Sequence, residues 1–173
     1  MKELLKYLFG FHRVLFCDLD GTLIKTKSGK TFPIDKFDWE LREEVVEAIN
    51  NYMPDYIFIV TNQGGIEKGF VLESDFEHKI EHIISVLELT CSDVLHIDYE
   101  YCISNDKENP MRKPNPGMIE LFKGKYHLFN YQAMMIGDAS GKPGQFSDSD
   151  KKTAENAGIR YMDVEDFVTK FKR

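Results

Sequence analysis

Short, unbroken apolar runs recur along this chain, each separated from the next by a longer amphipathic stretch, and no other feature narrows its fold as much. The runs are VLFC at 14–17, YIFIV at 56–60, a stretch near 97–103 and AMMIG at 133–137. Those at 14–17, 56–60 and 133–137 are continuously apolar instead of alternating, which is the signature of strands buried on both faces of a parallel sheet. Between and after them, 39–52, 73–89, 116–124, 149–158 and 163–171 read as helices. The segment 73–89 carries Phe76, Ile80, Ile83, Ile84 and Leu87 on one face, as a helix laid against a sheet should. Strand and helix in alternation predict an α/β fold: a three-layer, Rossmann-like parallel sheet with helices on both faces.

The length of 173 residues suits one domain spanning 1–173, with no linker, repeat or low-complexity tract. No apolar run approaches the ~20 residues a membrane span needs, and the opening MKELLKYLFGFHRVLF is too broken by charge for a secretory signal. Cys17, Cys91 and Cys102 are odd in number, form no CxxC and match no common zinc template with His96, so an intracellular, reducing setting is expected. The net charge of −7 and the lack of a conspicuous aromatic platform speak against a nucleic-acid partner. Local basic groups speak for one: Lys25, Lys27 and Lys30 share a loop, Arg112 and Lys113 another, and Lys151 and Lys152 adjoin.

In an open α/β sheet, ligands bind at the carboxyl ends of the strands, so the residues just past each apolar run carry the most information about chemistry. DLDGT (18–22) comes after the first run, TNQGG (61–65) after the second, RKP (112–114) lies in the irregular loop 105–118, and GDAS (137–140) comes after the fourth. For a phosphate monoester these residues divide the chemistry. A carboxylate such as Asp18 can attack phosphorus once a cation neutralises the approach of two anions. Asp18, Asp20 and Asp138 offer hard oxygens to Mg²⁺. Asp20, two residues on, is placed to protonate the leaving alkoxide and then deprotonate water. Thr61 and Lys113 can bind the phosphoryl oxygens. Asn62, Gln63 and Arg112 are further candidates for substrate contact. Asp150 is expected either to cap the helix that starts near 149 or to orient Lys113 or a metal-bound water, with Asp148 as the fallback.

DLDGTLI, TNQGGI, RKPNPGM and GDAS…SD, in that order, resemble the four motifs of the haloacid-dehalogenase-like, aspartate-nucleophile phosphatases. That resemblance implies Asp18 as nucleophile, Asp20 as general acid/base, Thr61 and Lys113 as the phosphoryl-binding pair and Asp138 as a Mg²⁺ ligand. The additional runs GTLIKTKSGKTFP, the DW at 38–39 and GDASGKPGQFSDSD are similar to the 3′-phosphatase domain of polynucleotide kinase 3′-phosphatases. This likeness implies removal of a 3′-phosphate from a DNA end. The gaps between motifs hold no room for a sizeable cap domain, which leaves an open cleft. Heptose-bisphosphate and histidinol-phosphate phosphatases share RKPxPGM, but carry before it a cysteine-rich loop that NDKENPM lacks. A binding module that recognises a phosphorylated end without cleaving it is a further alternative.

GDASGK also approaches the P-loop template, yet it is one residue short between its glycines and Pro143 replaces the hydroxyl residue. The expectation is therefore phosphatase without ATP-dependent 5′-kinase activity.

Overall fold

The computed structural model describes residues 12–172. Among them, five parallel strands form the central sheet in the order β5-β4-β1-β6-β7. These are β1 Val14–Cys17, β4 Tyr56–Asn62, β5 His96–Cys102, β6 Ala133–Gly137 and β7 Arg160–Asp163. β1 is central, its Val14 level with Tyr56 on one side and Ala133 on the other. All four of its residues are fully buried, which explains the unbroken apolar run. Leu15 and Cys17 face one layer, Val14 and Phe16 the other.

Helices cover both faces. The Leu15 face packs α1 (Glu43–Tyr52), α3 (Glu73–Thr90) and α6 (Val164–Phe171), through Ile49, Ile80, Ile83 and Phe167. The Phe16 face packs α4 (Gly117–Tyr126) and α5 (Ser149–Asn156), through Met118, Phe122 and Ala154. Phe122 stacks on Phe58 with ring centroids 4.4 Å apart, and Phe16 lies 5.4 Å from Phe58. Burying each such ring contributes about 1.5–3 kcal/mol, so α4 is fixed on β1 and β4. A short helix, α2 (Gly64–Glu67), follows β4. No described helix is long and apolar enough to cross a membrane.

From β1 the chain steps outward through β4 to β5, then returns across the sheet to β6 and steps the other way to β7. The reversal opens a crevice at the carboxyl ends of β1, β4 and β6. Between β1 and α1 the chain forms a two-stranded antiparallel hairpin, β2 (Ile24–Lys25) with β3 (Glu40–Leu41).

Several boundaries differ from the sequence expectation, two of them at helix starts with a clear physical reason. The helix read over 39–52 begins only at Glu43, because Leu41 pairs with Ile24 and the Arg42 N–H donates to Leu23 O at 2.9 Å, holding this segment extended against the hairpin. The segment read as helix from 163 starts at Val164, with Asp163 as its cap accepting from Glu165 N at 3.0 Å. Asp163 is also the last residue of β7, an edge strand whose sequence RYMD has no continuous apolar run to betray it.

Candidate active site

Asp18 is the first residue past β1, and its N–H donates to Ile136 O at 3.1 Å, fastening the end of β1 to β6. The chain then turns sharply, with Leu23 N and Ile24 N both reaching Leu19 O. This turn brings the Thr22 hydroxyl back to donate to Asp18 Oδ2 at 3.3 Å. Gly21 sits at φ 83° inside it, and a Cβ there would lie 2.2 Å from Asp138 Oδ2. The glycine therefore lets the β1 turn and the β6 turn close on each other.

Lys113 comes from the irregular loop between β5 and α4. That loop is knitted by its own polar side chains: Asn115 Nδ2 donates to Lys107 O and Asn109 O, and Arg112 Nη1 to Ser104 O at 2.7 Å. Asn62, at the end of β4, clasps Lys113 from both sides. Its Nδ2 donates to Lys113 O and its Oδ1 accepts from Lys113 N, each at 3.0 Å. The lysine side chain is thereby driven into the protein, where its ammonium donates to Asp18 Oδ1 at 2.5 Å and Asp150 Oδ1 at 2.7 Å.

Asp150 reaches the site from the first turn of α5. Its other oxygen accepts from Ala139 N at 3.1 Å, and Gly137 leaves the room, since a Cβ there would meet Asp150 Oδ2 at 2.3 Å. Of the two placements the sequence left open, Asp150 lies against Lys113. Asp148 occupies the N-cap without making a side-chain cap bond and pairs with Lys152 at 2.7 Å, away from the cluster.

Asp18, Asp138 and Asp150 form a group of three carboxylates whose ligand oxygens lie within 4.8 Å of one another. One ammonium faces them, so the fully ionised cluster is negative in sum. Burial, opposed by Lys113 but reinforced by Asp150 and Asp138, pushes the Asp18 carboxyl up to about 8. Burial and then Asp150 push Asp138 up to about 6. Burial alone would lower Lys113, but Asp150 and Asp18 outweigh it and hold the ammonium above the ordinary lysine range. A buried set of hard oxygens that repel one another and retain protons is the donor chemistry a divalent cation relieves. The residues present fit Mg²⁺.

Other expected site residues lie differently. The carboxylate of Asp20 is not one of the three: it is about half exposed and turns to Gln63 Nε2 at 2.9 Å and Lys79 Nζ at 3.4 Å. Thr61 is buried, with its hydroxyl accepting from Gln63 Nε2 at 3.0 Å. Gln63 thus links Thr61 to Asp20, while Asn62 holds the Lys113 backbone and Arg112 donates to Ser104 O. Lys142 is held by Asp166 at 2.8 Å and Asp163 at 3.1 Å. Sequence reasoning missed Lys79, an isolated lysine in an amphipathic helix with no motif around it. It also missed exposed rings: Phe32, Phe37, Phe70 and Phe146 all stand on connections that leave the carboxyl ends of β1, β4 and β6.

A parallel α/β sheet with these carboxylates and this lysine at its switch point is the arrangement that the resemblance to haloacid-dehalogenase-like phosphatases implies. The comparisons with known proteins narrow the class. The family model described as polynucleotide kinase 3 phosphatase matches residues 13–168, and the chain belongs to that family. It is 37% identical over 155 residues to the bifunctional polynucleotide phosphatase/kinase of Schizosaccharomyces pombe, covering 87% of this chain and 36% of the relative. The chain thus spans about a third of that relative's length. It is 33% identical over 159 residues to an uncharacterized protein of Autographa californica nuclear polyhedrosis virus, covering 87% of this chain and 82% of the relative. Among solved structures it is similar to the D,D-heptose 1,7-bisphosphate phosphatase of B. bronchiseptica complexed with magnesium and phosphate. The TM-score is 0.63 at 18% identity, covering 91% of this chain and 97% of that one.

Proposed function

We propose that this chain is a Mg²⁺-dependent polynucleotide 3′-phosphatase acting on DNA ends. The observation that carries the substrate reading is a set of four exposed phenylalanines on the connections that follow β1, β4 and β6. Phe32, Phe37, Phe70 and Phe146 rise from the loops on the same sheet edge as the carboxylate cluster. Bases stacked on such rings contribute about 1–3 kcal/mol each, and a strand end offers several bases to stack. Lys27 and Lys30, exposed on the loop that carries Phe32, supply cations for backbone phosphates despite the net charge of −7. This loop has a defined shape: buried Asp38 accepts from Ser28 N at 2.7 Å, Ser28 Oγ at 2.6 Å and Ile34 N at 2.9 Å. The family match and the likeness to a polynucleotide phosphatase/kinase point the same way.

In the mechanism, an Asp18 carboxylate oxygen attacks phosphorus in line. The bond from phosphorus to the sugar 3′ oxygen breaks, its electron pair goes to that oxygen, and Asp20 supplies the proton. Asp20, now ionised, takes a proton from water as the water oxygen attacks the aspartyl phosphate. The bond to Asp18 then breaks, its electrons return to the carboxylate, and inorganic phosphate leaves. Asp18 and Asp138 would hold Mg²⁺, with Asp150 in support; when bound, the ion neutralises the phosphoryl oxygens so that the anions can meet. Lys113 adds fixed positive charge at the attacking carboxylate, and its two carboxylate partners keep its ammonium aimed there. Gly137–Lys142 is no nucleotide loop in this reading, because Asp138 belongs to the cluster and Lys142 to Asp163 and Asp166.

The test compares phosphate release from a 3′-phosphorylated oligonucleotide, a heptose bisphosphate and histidinol phosphate at equal Mg²⁺. A preference for either metabolite refutes the DNA reading. Asp18→Asn should abolish release while leaving the fold intact, and full release by that variant refutes the nucleophile. Transfer of label from ATP to a 5′-hydroxyl oligonucleotide would refute the absence of kinase activity.

A further inference from the structure

We infer that Lys79 is a positioning residue that aims the acid/base carboxylate of Asp20. The inference rests on the proposed role of Asp20 and is independent of the nucleic-acid reading. Lys79 lies on α3, outside every motif, in a run where Phe76, Ile80, Ile83 and Leu87 bury the helix against the sheet. Its side chain is only 8% exposed, and its ammonium meets Asp20 Oδ1 at 3.4 Å while lying 5.9 Å from the Phe76 ring centre. Withdrawing an ammonium from water costs several kcal/mol unless a partner compensates, and an apolar residue would bury the same stem without that cost. The charge is therefore better explained by what it faces than by packing.

Asp20 is the complementary case. Its side chain is 51% exposed, and an exposed aspartate tied to a mobile surface lysine would be poorly fixed. Here the cation is confined by an 18-residue helix, and the second carboxylate oxygen accepts from Gln63 Nε2 at 2.9 Å. Gln63 is in turn tied to buried Thr61 at 3.0 Å. Two elements of the fold, α3 and the end of β4, thus each hold one oxygen of a carboxylate that must meet the leaving oxygen and then a water.

The test uses Lys79→Met, which keeps the stem and removes the charge, with p-nitrophenyl phosphate and a 3′-phosphorylated oligonucleotide as substrates. Nitrophenolate departs without a proton, so only the second, base-dependent step should suffer with that substrate. The expected result is a burst of about one nitrophenolate per enzyme followed by slow turnover, because the aspartyl phosphate accumulates. With the oligonucleotide, kcat should fall by about tenfold or more at nearly constant KM, within the range general acid/base catalysis supplies. Lys79→Arg should restore most of the loss. In an Asp20→Asn background, Lys79→Met should change nothing further. Wild-type kinetics in Lys79→Met, a loss confined to KM, or a further loss in the Asp20→Asn background would each overturn the inference, and the last also detects a merely structural effect. Unimpaired Asp20→Asn would instead refute the acid/base assignment beneath it.

Discussion

Gly21→Ala should weaken cation binding through a contact that involves no change of charge. The added Cβ would sit 2.2 Å from Asp138 Oδ2 and 2.8 Å from its Cγ. Ordinary contact begins near 3.5 Å, so the carboxylate must withdraw by about an ångström. The backbone cannot easily give way instead, because Gly21 N donates to Ile24 O at 2.9 Å within the turn that also positions Asp18. The substitution has two costs. The φ of 83° is a left-handed conformation that costs a non-glycine residue about 1–2 kcal/mol. For a chain of this size each kcal/mol lowers Tm by roughly 2–4 °C. A misplacement of about 1 Å at a reacting centre costs on the order of 100-fold in rate. The assay is a Mg²⁺ titration of phosphatase activity beside a thermal melt. The half-saturating Mg²⁺ should rise, and much of the lost rate should return at high Mg²⁺, since the carboxylate is displaced and not removed. An unchanged Mg²⁺ dependence would refute the claim that the β1 and β6 turns share one cation site.

Asp150→Asn should reduce activity about 10- to 100-fold, the usual scale for a residue that orients a metal-site group, whereas Asp148→Ala should leave activity and Tm unchanged; equal losses in an activity assay would contradict the separation of the two. Because burial raises Asp18 to about 8 and Asp138 to about 6, the folded protein holds protons that the unfolded chain releases near pH 4. In chelator, these groups therefore favour folding at low pH and lose that contribution as pH rises from about 4 through 6 to 8. Added Mg²⁺, which competes with those protons, should raise Tm more at pH 8 than at pH 6, and a pH-independent gain would refute this origin. Phe32→Ala or Phe146→Ala should lower kcat/KM for the oligonucleotide by about tenfold, with p-nitrophenyl phosphate turnover unaffected; equal effects on both substrates would remove the rings from strand recognition.

Much of the fold was legible because burial on both faces leaves short apolar runs that, at this length and between turn residues, read as strands. β1, β4 and β6 were found that way. β7 was not, since as an edge strand it needs only one neighbour, and its Arg160 and Tyr161 look like loop residues. The start of α1 was misread because propensity favours helix from Trp39, while the pairing of Leu41 with Ile24 is a tertiary fact. The site divided in the same way. Asp18, Thr61 and Asp138 stand next to strand ends, so their convergence could be inferred from topology. Lys113 was placed by its motif, but its depth depends on Asn62 clasping its backbone, which no spacing reveals. Lys79 meets Asp20 from 59 positions away with no local signal at all, while Gln63, which its motif offers as a substrate contact, donates to Asp20 from 43 positions away.

Asp148 and Asp150 show most clearly where such inference stops. Both precede or open the same helix, both are acidic and two residues apart, and helix-capping preference favours Asp148, which does stand at the N-cap. Capping is not what distinguishes them, because Asp148 makes no cap bond. Residue 150 lies far enough into the turn for its N–H to reach Ala139 O at 3.1 Å, so the helix start is bonded directly to the end of β6. Its carboxylate then faces Ala139 N and Lys113, while Asp148, two residues earlier, faces Lys152. The assignment depends on how the start of α5 meets β6, and Gly137 permits that approach because any side chain there would occupy the space the Asp150 carboxylate fills.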